Sequence, residues 1–590
     1  MKQFLLTMAG VFFGLMLFFI GVPFLLIAMA ASATRAPATP SAAVLALDLR
    51  RPLTDQASDN PLAAFGRGSQ SVMSVIETLH RAEHDSRVKA LFVRLPEGGM
   101  SPGEADELRL AFKAFEAAGK PVIAHSQGLY PSGVITSTYM LGAASSELWM
   151  QPGAPFQATG LASEEMFLKR LFDKYGVKPE FEQRYEYKNA VNGYLYDDFT
   201  AAHRESSLSW MGSVYQSALN AAAADRKMNP QTLRTLIEAG PYDAGDAQAK
   251  GLVDKLGQVT DAKTAALARG GHDAKMIDLE DYAGSARSLD GIGGGPEIAV
   301  VGAEGDIMTG PGGGGFGSSS NINSDDVAEA LDVAARDDGV KAIVFRLSSP
   351  GGSDTASEQI LAAVKAAKAR KPVVVSMGTY GASGGYWVSS GASAIVAEPT
   401  TLTGSIGVFG GKFVIGPALA KFGVDLRPIS VGGDYAGADG AAESFNPRQR
   451  AAFAAAIDKV YDGFISRVAT GRKLTPDRVR EIAKGRVWTG VQAQQLGLVD
   501  GLGGFYQAVD RAKALAGLSG QSVRLKPINA HHSPFDAVAR ALGVSTTSLR
   551  AMASLGQILS DPRAQSLLDQ LGQARLRSQG ADLLSPVRLP

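Results

Sequence analysis

GTYGASGGYWVSSGA, Gly378 to Ala392, follows directly on the apolar run PVVVSM, Pro372 to Met377. The run is short, β-branched and uncharged, the pattern of a strand buried on both faces. Gly-Ala-Ser-Gly-Gly then breaks it, and Tyr386 to Ser390 is expected to start a helix. A serine at a strand-to-helix break exposes its hydroxyl beside the free N–H groups of the helix start. Acyl transfer needs that combination: a nucleophile next to a place for developing negative charge. Ser383 is therefore the candidate nucleophile. The competing reading is a glycine-rich packing turn with a capping serine, because one strand–turn–helix geometry serves many functions.

Working outward, the same pattern occurs twice. Residues 136–188 align without gaps on residues 383–435, at a constant offset of 247. Tyr139 meets Tyr386, Ser146 meets Ser393, Pro152 meets Pro399 and Gly160 meets Gly407. Upstream, VKALFVRL (Val88 to Leu95) pairs with VKAIVFRL (Val340 to Leu347), and KPVIAHS (Lys120 to Ser126) with KPVVVSM (Lys371 to Met377). Downstream, AKGLVDKLG (Ala249 to Gly257) pairs with QLGLVDGLG (Gln495 to Gly503). Collinear similarity of this length marks an internal repeat. The body is expected to be two copies of one domain, residues 43–280 and 296–518. Each copy alternates short apolar strands with helical stretches such as Asp325 to Ala335 and Ala356 to Arg370, which predicts an α/β fold with a largely parallel sheet covered by helices.

A serine nucleophile needs a base, and histidine is the usual one. The seven histidines are His80, His84, His125, His203, His272, His531 and His532, and none lies in the second copy. His125 corresponds to Ser376, on the strand before the serine turn, where a buried, hydrogen-bonded role is expected. The other common base is a lysine kept neutral by burial, its pKa brought from about 10.4 toward 7–8. Lys188 stands in RYEYKNAVNGY, 52 positions after Thr136; the same place in the second copy is Tyr435. The first copy has the lysine but Thr136-Ser137-Thr138 in place of Ser383-Gly384-Gly385. The copies are degenerate in complementary ways, and packed head to tail they would form one composite site. Lys412 is the second candidate base. SSPGG (Ser348 to Gly352) follows the AIVFRL strand, so Gly352 and Gly384 are candidate oxyanion donors, each worth about 3–4 kcal/mol. Ser405, in TLTGSIG (Thr401 to Gly407), is the candidate partner that orients the lysine.

The 590-residue chain allows two to four domains of roughly 150 residues. Its 58 basic and 58 acidic residues balance, so no nucleic acid or other polyanion is expected as a partner. There is no cysteine, which rules out disulfides and a thiol nucleophile. No metal-ligand cluster or phosphate loop stands out, and no cofactor is expected. Phe4 to Ala31 carries no charge and exceeds the about 20 residues a membrane span needs. An uncleaved anchor (4–31) is favoured over a signal peptide cut near AMAASA (Ala28 to Ala33), whose apolar core would be about 7–15 residues. Residues 32–42 are a Pro/Ala linker, the glycine-rich stretch Gly310 to Ser320 a loop, and residues 519–590 a helical C-terminal extension.

SSPGGS, ASGGYW and TLTGSIGVFG, with YKNAV in the preceding copy, resemble the long, duplicated form of the signal peptide peptidase A (protease IV) family. The resemblance covers about residues 1–518. It implies two tandem ClpP/crotonase-like domains after an N-terminal transmembrane helix. It also implies a single-pass protein of the inner (cytoplasmic) membrane, its catalytic part on the periplasmic side. The implied activity is a serine endopeptidase acting on released signal peptides and other apolar peptides, assembled as a homotetramer. The family's Ser-Lys dyad falls on Ser383 and Lys188, and its third motif on Ser405. Two rival functions remain at this point: a crotonase-type acyl-CoA enzyme, and a membrane scaffold descended from an inactive peptidase.

Overall fold

The computed structural model describes residues 39–56, 70–286, 295–312 and 321–528. The expected anchor, most of the linker, residues 313–320 of the glycine loop and the tail beyond residue 528 lie outside the described residues. Among the described residues no helix is long and apolar enough to cross a membrane.

Two sheets are built from the two copies. The first runs, in spatial order, Lys255–Leu256, Glu147–Met150, Val122–Ser126, Val88–Arg94, Ala43–Asp48 and Lys275–Asp278, and every pair in it is parallel. The second runs Val487–Thr489, Leu402–Gly404, Val373–Ala382, Val340–Ser349, Glu297–Glu304 and Arg524–Pro527, with Ala394–Ala397 and Gly501–Leu502 branching from it. Only the Leu402–Gly404/Val487–Thr489 pair is antiparallel. Strands in the middle are buried over most of their length, Val122–Ser126 throughout, which is why they are nearly continuous apolar runs and not alternating ones.

The duplication extends to single contacts. Tyr139 Oη donates to the Leu252 carbonyl and Tyr386 Oη to that of Leu498. Ser146 Oγ accepts from Val122 N–H and Ser393 Oγ from Val373 N–H. Arg226 grips Asp254 with both terminal nitrogens, and Arg472 does the same to Asp500.

Two findings depart from the sequence expectations. The strand before the serine does not stop at Met377 but continues to Ala382. Its first half pairs with Ala394–Ala397 and its second half with Leu402–Gly404, so a second partner keeps the GTYGA stretch extended. The region expected as a helical extension begins with a strand, Arg524–Pro527, parallel to Glu297–Val300. Arg524 and Lys526 both pair with Glu297, and Lys526 also with Asp337. Lys275–Asp278 holds the same place in the first sheet.

The repeats are joined at several places, two of which bear on the site. Helix Pro102–Ala117 of the first copy brings Glu107 to Arg346, on a central strand of the second sheet. Arg346 is 1% exposed. It is held by Asp55 at 2.6 Å and Glu107 at 2.7 Å, and also donates to Ser376 Oγ. A guanidinium is tolerated in such a place only when its donors meet carboxylates in good geometry. The second junction is an antiparallel ladder between Lys178–Arg184 of the first copy and Val408–Val414 of the second.

Candidate active site

That ladder positions the site. Val408 lies opposite Arg184, Lys188 is four residues beyond Arg184, and Ser405 is three residues before Val408. The register therefore brings the lysine of one copy to the TGSIG turn of the other. A slip of one residue would turn every side chain to the opposite face.

Ser383 stands between the end of strand Val373–Ala382 and helix Gly384–Ser389. Its backbone has φ 52° and ψ −117°, a left-handed conformation that costs a residue with a Cβ about 1–3 kcal/mol. The surroundings hold it there: Ser383 N–H donates to the Gly404 carbonyl at 2.9 Å, and its own carbonyl accepts from Trp387 N–H at 2.8 Å. The result is a half-buried, reachable hydroxyl. The two following glycines are demanded by space. A Cβ on Gly384 would sit 2.6 Å from Ser357 Oγ, and one on Gly385 would sit 2.8 Å from the Ser349 carbonyl.

Lys188 is 4% exposed. Its Nζ lies 3.0 Å from Ser383 Oγ and donates to Ser405 Oγ at 2.9 Å and to the Ser405 carbonyl at 3.1 Å. Among the described residues no carboxylate forms an ion pair with it, and burial alone lowers its pKa to about 7. Desolvation disfavours the ammonium, and no neighbouring anion restores it. Ser405 is itself at φ 48°, fixed by its N–H donating to the Arg486 carbonyl at 2.7 Å.

Gly352 and Gly384 are adjacent, a Cβ on Gly384 falling 3.1 Å from Gly352 N. Gly352 is bridged to Ile307, but the bridging bonds are made by its neighbours: Ile307 N–H donates to the Gly351 carbonyl and Ser353 N–H to the Ile307 carbonyl. Among the described residues neither Gly352 N–H nor Gly384 N–H has a backbone acceptor. Two free donors thus stand beside the serine.

The structure brings together Ser383, Lys188 and Ser405, with Gly352 and Gly384 at their side. It leaves out the second candidate base. Lys412 Nζ donates to the carbonyls of Ala438, Gly440 and Glu443, 4.4 Å above the Phe445 ring. With three carbonyl acceptors, Lys412 staples a loop. His125 is fully buried on the first sheet with Nε2 3.1 Å from the Gly257 carbonyl, the structural place expected of it. Thr136, the counterpart of Ser383, is buried with its hydroxyl unpartnered.

The motifs did not single out Gly485 or Arg486. The Lys484 carbonyl accepts from Tyr185 and Tyr187 N–H, and a Cβ on Gly485 would fall 2.5 Å from Lys188 Cβ. This loop is the seat of the lysine. The repeat alignment held its signal, since IAKGRVWTG (Ile482 to Gly490) lies against IEAGPYDAG (Ile237 to Gly245) and matches Gly485 with Gly240. Among the described residues no cluster of His, Cys, Asp or Glu has the make-up of a metal site.

Comparison with known proteins gives the class. Protease 4 of Salmonella typhi is 34% identical over 502 residues, spanning 80% of this chain and 78% of the relative. The chloroplastic serine protease SPPA of Arabidopsis thaliana is 29% identical, over 80% of this chain and 69% of its own. Among solved structures, a ClpP1 mutant from Listeria monocytogenes aligns at 13% identity over 36% of this chain and 94% of its own, with a TM-score of 0.24, too low to bear on function. A doubled α/β scaffold with this likeness is that of a serine peptidase. Peptidase family S49 matches residues 114–271 and 365–519, one stretch in each repeat, and the chain belongs to that family.

Proposed function

We propose that the chain is a membrane-anchored serine endopeptidase that uses a Ser383–Lys188 dyad to degrade released signal peptides and other extended, apolar peptides. The observation that carries this reading is the dry amine of Lys188, 3.0 Å from Ser383 Oγ. Nζ has three partners, two of them on Ser405. A neutral amine has two N–H donors and one lone pair. The two donors satisfy Ser405, and the lone pair is left for the Ser383 hydroxyl.

In the reaction, Lys188 Nζ takes the Ser383 proton as Oγ bonds to the scissile carbonyl carbon. The N–H groups of Gly352 and Gly384 hold the oxyanion. Collapse breaks the C–N bond, and the Lys188 ammonium returns its proton to the leaving amine. Water then attacks the acyl-enzyme, gives a proton to Lys188, and the C–Oγ bond breaks as Ser383 regains its hydrogen. Ser405 keeps the amine aimed. An extended substrate fits strand addition beside the site, with pockets for alternate side chains. The scaffold of each repeat is of the ClpP/crotonase type, the anchor is residues 4–31, and the catalytic part lies on the periplasmic side of the inner membrane in a homo-oligomer, a tetramer by family resemblance.

The test is cleavage of a fluorogenic apolar signal-peptide substrate by the purified full chain. Ser383→Ala and Lys188→Ala are expected to abolish turnover with circular dichroism unchanged. Retained turnover in either would overturn the dyad.

A further inference from the structure

The guanidinium of Arg486 takes part in no step of the proposed reaction, yet it stands where the loops of the site meet. It lies between two rings, its Cζ 4.9 Å from the centre of the Tyr187 ring and 4.4 Å from that of Trp488. A guanidinium suits such a place because it is flat, weakly hydrated and attracted to the face of an aromatic ring. Its edge is held as well. Nη2 and Nη1 donate to the two carboxylate oxygens of Glu205 at 2.6 and 2.9 Å, the paired geometry in which these two groups match. Glu205 comes from helix Ala201–Asp225 of the first repeat. Trp488 is itself fixed, its indole N–H donating to the Ile482 carbonyl at 2.9 Å.

Each layer of this stack meets the backbone of a different part of the site. Tyr187 directly precedes Lys188, and its N–H donates to the Lys484 carbonyl at 3.2 Å. The Arg486 carbonyl accepts the Ser405 N–H at 2.7 Å. Trp488 packs on Gly404, where an added Cβ would fall 2.8 Å from the indole ring, and the Gly404 carbonyl accepts the Ser383 N–H at 2.9 Å. One cation thus ties together the supports of Lys188, Ser405 and Ser383.

The first repeat shows that the scaffold alone does not require the stack. There Tyr242–Asp243 pairs antiparallel with Pro155–Phe156, as Val487–Thr489 does with Leu402–Gly404. In the alignment that matches Gly485 with Gly240, Pro241 takes the place of Arg486 and Asp243 that of Trp488. A turn and ladder of the same kind therefore form without the cation and without the indole. The stack belongs to the copy that carries Ser383.

We infer that Arg486 is a positioning residue: its guanidinium, clamped between Tyr187 and Trp488 and gripped by Glu205, keeps the backbones of Lys188, Ser405 and Ser383 at the spacing the dyad needs. This role rests on the proposed dyad and adds the side chain that holds its two halves together. It is a positioning role because the hydrogen bonds of Lys188 Nζ go to Ser383 and Ser405 and not to Arg486. A misplacement of about 1 Å between reacting groups costs on the order of 100-fold in rate, so a loosened clamp is read in turnover and not in peptide binding.

The test uses the purified full chain in detergent, with reactive serines counted by a fluorophosphonate so that turnover is expressed per serine. Arg486→Gln is expected to lower kcat on the fluorogenic apolar peptide about 10- to 100-fold, with KM nearly unchanged. Arg486→Lys keeps a cation between the rings but cannot grip both oxygens of Glu205, and is expected to recover part of the loss. Glu205→Gln, at a half-exposed side chain, weakens the grip alone and is expected to fall between wild type and Arg486→Gln. In Arg486→Gln the pH at which Ser383 acylation levels off is expected to move up from about 7, because a loosened loop lets water reach the amine. A purely structural role would lower the melting temperature and the number of reactive serines but leave turnover per serine and the inflection as in wild type; that result would overturn the inference. A raised KM with kcat intact would also overturn it, since Arg486 would then be holding peptide. Lys188→Ala, measured alongside, separates the two readings. If it acylates with the wild-type profile, the dyad fails and the role of Arg486 falls with it. If it is inert while Arg486→Gln is as fast as wild type, the dyad stands and the role of Arg486 alone is lost.

Discussion

Burial makes Lys188 destabilising where it stands, and the proposed dyad would depend on that same burial. Its folded pKa of about 7 lies below the ordinary lysine value of 10.5. Between those limits the unfolded chain holds a proton that the folded chain does not, so this group's contribution to stability rises with pH from about 7 to 10.5. Removing the amine removes the penalty, which the shift bounds at about 5 kcal/mol. Lys188→Met is therefore expected to raise the melting temperature at pH 7, with a gain that shrinks toward pH 10; a calorimetric pH series checks it. Ser405→Ala removes one of the two acceptors on Ser405 and leaves its carbonyl. We expect kcat/KM to fall about 10- to 100-fold, of the order of one to two aimed hydrogen bonds, with Ser383 still labelled by a serine probe. Ser383 and Lys188 were both legible in the sequence because each repeat carries one of them and lacks the other. The partners of Lys188 on Ser405 were legible only as a motif, because the aim of a hydroxyl depends on a backbone at φ 48° that no residue pattern states.

At the scale of elements, the site is the meeting of loops fixed by two ladders. Gly485 shows how tightly they fit. It adopts φ 82° and packs directly on the Lys188 backbone. Gly485→Ala is expected to push the lysine away from Ser383 and lower kcat at least tenfold with KM nearly unchanged, as measured on the same fluorogenic peptide. That glycine escaped the sequence reading because its reason is a close approach across 297 residues of chain, not a local turn. The same holds for the strand through Gly378–Ala382. Glycine content alone predicts a break, and only the pairing with Leu402–Gly404 keeps it extended. Short strands such as Arg524–Pro527 are likewise set by their partner, here Glu297–Val300 and the ion pairs on Glu297, and four residues carry too little pattern to announce them.

Across the whole molecule, the proposed dyad depends on the two repeats being held in one relation. Arg346 carries much of that load, buried against Asp55 and Glu107 of the first copy. Arg346→Ala would leave two carboxylates buried without their cation, at a cost of about 3–5 kcal/mol. Arg346→Met keeps more of the packing but leaves the same carboxylates bare, and adding Glu107→Gln should recover part of the loss, as urea titration would show. The repeat itself was plain in the sequence because collinear matches persist from Val88 to Gly257 and again from Val340 to Gly503. The junction was not, because the residues that make it, Asp55, Glu107 and Arg346, belong to no motif. The central claim is that an uncharged amine from the first copy activates a hydroxyl of the second. The rate of Ser383 acylation by a fluorophosphonate, followed from pH 5 to 9, tests it most directly. The account predicts a rate that climbs tenfold per pH unit below about 7 and levels off above it, with both the rate and its inflection lost in Lys188→Ala. Equal labelling of Lys188→Ala, with the same pH profile, would contradict it.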